Sequence, residues 1–363
     1  MVNEYKKIEK KFLKTKKILS KSKFKYLCVT ITTNTSYENK KIHCAPLRHI
    51  ENILIFGIVV YSTKQLHHLT KFFDKSIDII FVDTEKKIPF NIGDKYKKNY
   101  IIKKNPLSSE FIELGNLATV LKSRIKKIPI LEFKPNDITV ENAWHIVRDH
   151  FKILSKKKLT IFGAGNIGFK LALKLVESGV NVSLFRRSVE KCIQLSNTIN
   201  LIKPISTLAE ANFTNSPVSA CYGSDGIIAC ANKKSVIKVD YLKTIKPNGI
   251  IIDLGKGNLD RQAVHYARKK KIKILRCDIT ETLIGYIRQN VLNYFSKTKK
   301  INTFNKIKVI SGGYMGRTNN IIVNNSEKPR EILGVSDGYG NFKKKLSKKN
   351  ISDIKKLKKY LRI

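Results

Sequence analysis

The segment that most constrains the fold runs from Thr160 to Ser188 and reads TIFGAGNIGFKLALKLVESGVNVSLFRRS. Its glycines at 163, 165 and 168 follow a short apolar run and open an amphipathic one. A second β-branched run, VNVSLF, comes next, so the segment has the periodicities of a strand, a helix and another strand. Two strands joined by a helix in this way pair in parallel, which predicts an α/β fold.

The spacing of the three glycines indicates a dinucleotide site. Gly163 suits a tight turn, Gly165 allows a pyrophosphate to approach the backbone, and Gly168 allows the helix to pack closely on the strand. The free N–H groups and the positive end of the helix would face the phosphates. The alternative is a structural turn without a ligand. The predicted cofactor contacts in this turn are Gly163, Ala164, Gly165, Asn166, Ile167 and Gly168.

The end of the second strand discriminates between the two nicotinamide cofactors. NAD sites usually place Asp or Glu there to bind the ribose 2′-OH, whereas NADP sites use arginine for the 2′-phosphate. Here the residues are Arg186, Arg187 and Ser188. Two cations and a hydroxyl suit a phosphate, so NADP is favoured over NAD. The alternative is a pair of solvated arginines.

The rest of the chain continues the alternation of strands and helices. Further strands are predicted at 24–33, 52–62, 77–85, 225–230, 249–254 and 272–276, and further helices at 63–75, 136–154, 188–197, 239–245, 260–269 and 280–296. These predict a smaller N-terminal α/β substrate domain (1–150), a Rossmann doubly wound parallel sheet (151–300) and a β-rich C-terminal extension (301–363).

The charge and the cysteine content of the chain bear on its binding partners and its cellular location. The formal net charge is +43, and lysine, spread over the whole length, accounts for most of it. Arginine forks rather than scattered lysines are typical of specific base readers, so we expect general polyanion affinity and no specific nucleic-acid partner. The six cysteines form no CxxC pair and no run of about 18 apolar residues occurs, which predicts a cytoplasmic protein without a membrane partner.

The motifs together resemble the shikimate dehydrogenase group and the related methylenetetrahydrofolate dehydrogenases. The run RRSVEK (186–191) is similar to the family's run after the second Rossmann strand, which implies that Lys191 also contacts the cofactor. The segment PND (135–137) resembles the family's catalytic aspartate segment and implies a catalytic role for Asp137. The helix IGYIRQNVLNYF (284–295) implies that Gln289 contacts the substrate. Each implied role concerns a cleft between the two domains.

Other candidates are weaker, because residue type and position alone support them. Asp137 could instead be only the N-cap of its helix, a place that Asn136 also suits. Lys64 follows a strand at the edge where α/β sites lie and is our candidate catalytic lysine, with Lys103 and Lys104 as alternatives. Lys256 and Asn258 could face the nicotinamide, and Asp225 and Asp253 are expected to be structural. We predict no metal, because the adjacent His67 and His68 would point about 100° apart on a helix.

These observations predict an NADP-dependent oxidoreductase that transfers a hydride between NADP and a small polar substrate, with homo-oligomerisation left open. The runner-up is a non-catalytic NAD(P)-binding sensor or partner-binding protein. A third hypothesis is an RNA-associated protein similar to glutamyl-tRNA reductase, although neither Cys28 nor Cys44 has the context of that enzyme's catalytic cysteine. In the C-terminal extension, Arg317 and Arg330 could clamp a carboxylate.

Overall fold

The computed structural model describes residues 2–33, 41–86, 88, 91–92, 95–96, 102–104, 111–113, 116–295 and 300–362. The chain divides into two compact units, Met1–Arg288 and Gln289–Ile363. The first unit contains two sheets built on parallel strands, and the second contains a small mixed sheet. Each unit is described by itself below.

The N-terminal sheet is centred on three strands that the sequence marks as apolar runs. Its strands are β1 (Tyr26–Thr32), β2 (His43–Cys44), β3 (Arg48–Ile50), β4 (Ile53–Val59), β5 (Ile79–Asp83) and β10 (Ile130–Phe133). The helices of this region are α1 (Val2–Lys21), α2 (Thr63–Leu69) and α3 (Leu117–Arg124). Two short antiparallel strand pairs lie between β5 and α3 in the chain. They are β6 (Asn91–Ile92) with β7 (Lys95–Tyr96), and β8 (Ile102–Lys104) with β9 (Phe111–Glu113).

The strand order of this sheet creates a ligand-binding edge. The order is β10-β5-β1-β4-β2, and β10, β5, β1 and β4 are all parallel. The chain crosses from β4 on one side of β1 to β5 on the other, so the direction of winding reverses beside β1. Ligands of open α/β sheets bind at the carboxyl ends of the strands at such a reversal. That edge is formed by the residues that follow β1 and β5.

The second sheet of the first unit is the Rossmann sheet. Its six parallel strands run in the order β13-β12-β11-β14-β15-β16. The strands are β11 (Lys158–Phe162), β12 (Asn181–Phe185), β13 (Ala211–Phe213), β14 (Gly226–Ala229), β15 (Ile250–Asp253) and β16 (Lys273–Arg276). The helices are α4 (Pro135–Phe151), α5 (Asn166–Glu177), α6 (Val189–Ile202), α7 (Pro217–Cys221), α8 (Val239–Leu242), α9 (Arg261–Lys269) and α10 (Thr280–Phe295).

The second unit folds around a four-stranded sheet in the order β17-β18-β19-β20. Its elements are β17 (Ile301–Phe304), β18 (Ile307–Ser311), β19 (Ile321–Val323), β20 (Ile332–Val335) and helix α11 (Lys348–Leu361). The buried side chains of Val309, Ile321 and Val323 pack with Leu357 of α11. The ordered sheet agrees with the β-rich character predicted for this region.

The predicted fold class is confirmed: the chain is α/β, with a six-stranded parallel Rossmann sheet and a β-rich C-terminal region. Within the described residues, no helix combines the length and the apolarity needed to cross a membrane. The same residues contain no group of three or more His, Cys, Asp or Glu side chains that could hold a metal ion.

The N-cap prediction for α4 is wrong. The helix begins at Pro135, with Lys134 as its N-cap, so Asn136 and Asp137 lie inside the first turn. Proline is favoured at the first helical position because it has no N–H group to leave unsatisfied. The N–H of Asn136 donates to Oε2 of Glu85 at 2.6 Å. A carboxylate from another element therefore caps this helix, which local sequence alone does not reveal.

Candidate active site

The turn between β11 and α5 has the geometry that the three glycines predict. Gly163 has φ of +90°, and a Cβ there would lie 2.8 Å from the backbone nitrogen of Ala231. A Cβ on Gly168 would lie 2.5 Å from the carbonyl oxygen of Gly163. Both positions therefore exclude any larger residue, the first because of its conformation as well.

Gly165 differs from the other two glycines because nothing lies within 4 Å of the place where its Cβ would be. It is exposed at the N-cap of α5, and no side chain caps the helix there. Asn166 beside it is also exposed, while Ala164 is buried and Ile167 packs partly into the core. The open backbone at the positive end of a 12-residue helix can accept an anionic group such as a pyrophosphate.

The cations after β12 take two different positions. Arg186 is half-buried and its Nη1 donates to the carbonyl oxygen of Ala164 at 2.9 Å, so it contacts the glycine turn itself. Arg187 and Lys191 are exposed. Ser188 is the N-cap of α6, but its side chain makes no capping hydrogen bond. These residues form a cationic rim beside the turn, with Glu190 as the acidic residue of the same first helical turn.

The loop after β15 closes against the loop after β14. The carboxylate of Asp253 accepts hydrogen bonds from the N–H groups of Lys256 at 3.0 Å and Gly257 at 2.7 Å. Nδ2 of Asn258 donates to the carbonyl oxygens of Ala231 at 2.8 Å and Lys233 at 2.6 Å. Asp253 is thus structural, as expected, and Asn258 ties the two loops together while its buried Oδ1 has no hydrogen-bond partner.

A charged cluster joins the glycine turn to the N-terminal sheet. Lys170 on α5 forms an ion pair with Oδ1 of Asp137 and a longer one with Oε1 of Glu85 at 3.4 Å. Nδ2 of Asn136 donates to Oδ1 of Asn166 at 3.3 Å. Burial acts to lower the pKa of Lys170, but its hydrogen bonds and the charges of Asp137 and Glu85 outweigh this and raise it. Lys170 is therefore a protonated cation at neutral pH.

The carboxyl edge of the N-terminal sheet contains two buried side-chain oxygens without a hydrogen-bond partner. Asp83, at the end of β5, is fully buried, and Thr33 follows β1 directly. Oδ1 of Asp83 accepts from the N–H of Glu85 at 2.9 Å, but neither its Oδ2 nor Oγ1 of Thr33 has a hydrogen-bond partner. Nζ of Lys86 lies 4.0 Å from Oδ2 of Asp83 and 3.4 Å from the carbonyl oxygen of Thr33. Burial raises the pKa of Asp83.

A cavity of about 620 Å³ lies beside β10 and the first turns of α4. It is lined by Thr84, Glu132, Phe133, Lys134, Asp137, Ile138, Glu141, Thr282 and Tyr286. The rings of Phe133 and Tyr286 lie 6.2 Å apart between centroids. Asp137 is thus shared between the wall of this cavity and the charged cluster, and both belong to the first unit.

The remaining predicted residues are placed as follows. Lys64 is exposed in the first turn of α2, at the same edge of the sheet as Thr33 and Asp83. The side chains of Lys103 and Lys104 lie outside the described residues. Gln289 is exposed on α10 and donates to Oδ1 of Asn293 at 2.9 Å. The roles of Lys64 and Gln289 stay predictions.

Burial makes the cysteine candidates of the sequence poor nucleophiles. Cys28 lies in the middle of β1 and is fully buried. Burial, together with the charge of Asp78, raises the pKa of Cys28 to about 12, and burial also raises the pKa of Cys44. The thiolate is the reactive form of cysteine, and Cys28 stays a thiol at neutral pH. Cys28 is therefore a core residue and a poor nucleophile.

Five residues of the site were missed by the sequence reasoning: Thr33, Asp83, Glu85, Lys86 and Lys170. Asp83 ends the buried strand β5 and Glu85 and Lys86 come just after it, and acidic residues at the carboxyl end of such a strand were a usable signal. Lys170 carried no such signal, because lysine is too frequent in this chain for its position on α5 to stand out.

Comparison with known proteins identifies the Rossmann region. Residues 158–280 match the family described as the NAD binding domain of 6-phosphogluconate dehydrogenase. The comparison with curated proteins gave no match. The Rossmann region is therefore similar to the NAD-binding domain of a dehydrogenase, and its glycine turn is exposed and uncapped.

Solved structures show distant similarity. One dipicolinate synthase polypeptide, from Bacillus halodurans, is 12% identical, with 76% of this chain and 99% of that chain covered and a TM-score of 0.36. A shikimate dehydrogenase in complex with NADP+ is 12% identical, with 73% and 96% covered and a TM-score of 0.38. Ornithine carbamoyltransferase from Pyrococcus furiosus is 11% identical, with 79% and 93% covered and a TM-score of 0.42. Scores this low do not discriminate between a dehydrogenase and a transferase.

Proposed function

We propose that the protein is an NADP-dependent oxidoreductase that transfers a hydride between NADP and a small polar substrate. One observation carries this proposal: the glycine turn and α5 contact the carboxyl edge of the N-terminal sheet directly, through Asn166 to Asn136 and through Lys170 to Asp137 and Glu85. A cofactor on the turn would therefore lie beside the edge where an α/β sheet holds its ligand. The domain division 1–150, 151–300 and 301–363 stays part of the proposal.

The preference for NADP rests on the cationic rim. The position that carries an acidic residue in many NAD sites is occupied by Arg186, whose guanidinium contacts the glycine turn. Arg187 and Lys191 are exposed beside it, and the hydroxyl of Ser188 is not used as a cap. Together they offer the charge and the donors that a 2′-phosphate requires.

The substrate would bind at the edge formed by Thr33, Asp83 and Lys86. The buried Oδ2 of Asp83 and Oγ1 of Thr33 have no hydrogen-bond partner in the protein, and a buried polar group without a hydrogen bond costs about 1–3 kcal/mol. A hydroxyl or amino group of a substrate would satisfy both atoms, while Lys86 and the exposed Lys64 could hold a carboxylate or a carbonyl oxygen. The chemistry of these groups favours a small hydroxy or amino compound.

The proposed catalysis divides between the cofactor and the chain. The nicotinamide, when bound, accepts or donates the hydride. The side chain of Asp137 is 46% exposed, so it can exchange protons with solvent. We assign to Asp137 the transfer of the proton that accompanies the hydride. Lys170 holds the Asp137 carboxylate in place through their ion pair, so we assign it a positioning role.

Nucleotide binding at the glycine turn is tested by Gly165→Val. The substitution needs no change in the fold, because the space around Gly165 is open and its φ is −93°. Its side chain would occupy the place of the pyrophosphate, so we expect the affinity for NADPH in titration calorimetry to fall at least tenfold. Gly312→Val, in equally open space in the second unit, is the matched control and should leave the affinity unchanged. Equal NADPH affinity for both variants and the unsubstituted chain would contradict the site.

The catalytic role of Asp137 is tested by Asp137→Asn, with Asp149→Asn on the same helix as control. Asp149 is exposed, at 66%, and pairs with Arg148. NADPH oxidation is followed with a panel of 2-oxo acids, hydroxy acids and imines. We expect the variant to lose roughly 100-fold or more in kcat while it binds NADPH normally. Unchanged turnover in Asp137→Asn would remove Asp137 from the mechanism. NADPH binding without turnover on any compound would favour the sensor hypothesis.

A further inference from the structure

Two glycine-containing loops of the second unit form one continuous surface. Residues 312–320 connect β18 to β19, and residues 336–342 follow β20. The N–H of Asn319 donates to the carbonyl oxygen of Ser336 at 2.9 Å, and Oγ1 of Thr318 donates to that of Asp337 at 2.8 Å. Oγ of Ser336 donates to the carbonyl oxygen of Met315 at 3.1 Å. We call these two segments the glycine-loop surface.

This surface presents aromatic rings to solvent. Tyr339 is 84% exposed, Phe342 is 56% exposed and Tyr314 is 43% exposed. The ring of Phe342 packs against Gly334. A Cβ on Gly334 would lie 2.4 Å from Cδ1 of Phe342, so the absence of a side chain at Gly334 makes room for the ring. Aromatic side chains held at one surface are able to stack on a planar partner.

Cations belong to the same two loops and to the residues that follow them. Arg317 in the first loop is exposed, and so are Lys344 and Lys345, which follow the second loop directly. Lys343 donates from Nζ to Oδ1 of Asn319 at 2.8 Å, which links the lysine run to the first loop. The acidic residue of the second loop, Asp337, is engaged by the N–H groups of Tyr339 at 2.7 Å and Asn341 at 3.1 Å.

We propose that the glycine-loop surface binds single-stranded nucleic acid without strong sequence preference. Exposed rings stack on unpaired bases of any kind, and lysine and arginine beside them neutralise the backbone phosphates. The exposed residues of the first loop include Met315 beside Tyr314, but the loops are otherwise rich in glycine and asparagine and are flanked by cations, which favours stacking on an anionic strand over insertion into a bilayer. This inference does not depend on the proposed oxidoreductase function.

Fluorescence anisotropy of the full chain with a labelled oligouridylate tests this proposal. An oligouridylate of roughly 16 nucleotides is long enough to fill one single-strand binding site. Tyr339→Ala should weaken binding roughly tenfold. Tyr222→Ala is the matched control, because Tyr222 is 73% exposed in the first unit, and it should have no effect. The double variant Lys344→Glu/Lys345→Glu should also weaken binding. Its control is Lys269→Glu/Lys270→Glu, which makes the same charge change on exposed lysines at the end of α9 and should weaken binding less.

Three results would overturn the proposal. Equal losses in the two lysine pairs and no loss in Tyr339→Ala would mean that binding reflects only the overall charge. Competition by duplex RNA as effective as that of the single strand would exclude stacking on unpaired bases. If Tyr339→Ala instead abolished binding to vesicles of phosphatidylcholine and phosphatidylserine and left oligouridylate binding intact, the surface would be a membrane contact. NADPH affinity, measured in parallel, should be the same in all variants.

Discussion

At the scale of single residues, the three glycines of the turn have different physical roles. Gly163 has a positive φ and lies against the backbone of residues 230 and 231, and Gly168 lies against Gly163. Gly165 has neither constraint. Two of the glycines are therefore needed for folding, and the third leaves room for a ligand. The sequence predicted this division from spacing, because the motif fixes which glycine lies where.

Asp83 gives a prediction with a definite sign in its pH dependence. Burial raises its pKa in the folded protein above the ordinary value of 3.8, although the charge of Lys86 and nearby N–H groups act to lower it. The folded state then holds a proton that the unfolded state has lost, so this carboxyl destabilises the fold increasingly as pH rises from below 3.8.

We therefore expect Asp83→Asn to raise the free energy of unfolding at neutral pH, by about 1 kcal/mol or more, with the gain vanishing below the ordinary pKa. Urea unfolding at a series of pH values measures it. Asp74→Asn is the control of opposite sign: burial acts to raise the pKa of Asp74, but hydrogen bonds from Lys16 and Ser76 lower it overall. A gain for Asp83→Asn that grows towards acidic pH would contradict the assignment.

At the scale of elements, the sequence predicts long apolar strands well and short elements poorly. Strands β4, β5 and β15 are buried along nearly their whole length, so their composition alone indicates them. The edge strand β13 has three residues, of which Asn212 and Phe213 are exposed, and it was not predicted. Helix α7 has five residues and was also missed. Such elements are stabilised by their neighbours more than by their own sequence.

Helix α4 is fixed to the Rossmann domain by a buried asparagine. Nδ2 of Asn142 donates to Sγ of Cys277 at 3.1 Å, and its Oδ1 accepts from Oγ1 of Thr282 at 3.0 Å. We expect Asn142→Ala to lower the free energy of unfolding by about 2 kcal/mol, because it leaves Thr282 without this acceptor and creates a small void. Urea unfolding tests this, with the exposed Thr198→Ala as a control that should change stability by less than about 0.5 kcal/mol. A loss no larger than that of the control would contradict it.

At the scale of the whole molecule, the sequence predicted the fold class and the location of the glycine turn, but not the contacts between the two sheets of the first unit. The ion pairs of Lys170 and the capping of α4 by Glu85 join residues 33 to 85 positions apart in the chain. Nothing in local periodicity encodes such contacts. The same limit applies to the glycine-loop surface, whose two segments meet only in the folded unit.

The central claim is that the glycine turn and its cationic rim bind NADP, and titration calorimetry of NADPH and NADH tests it most directly. We expect NADPH to bind at least tenfold more tightly than NADH, because Arg187 and its neighbours would neutralise the 2′-phosphate. Arg187→Asp should abolish this preference by weakening NADPH alone, while Arg261→Asp, an exposed site on α9, leaves it intact. NADH binding as tight as NADPH, or no binding of either nucleotide, would contradict the account.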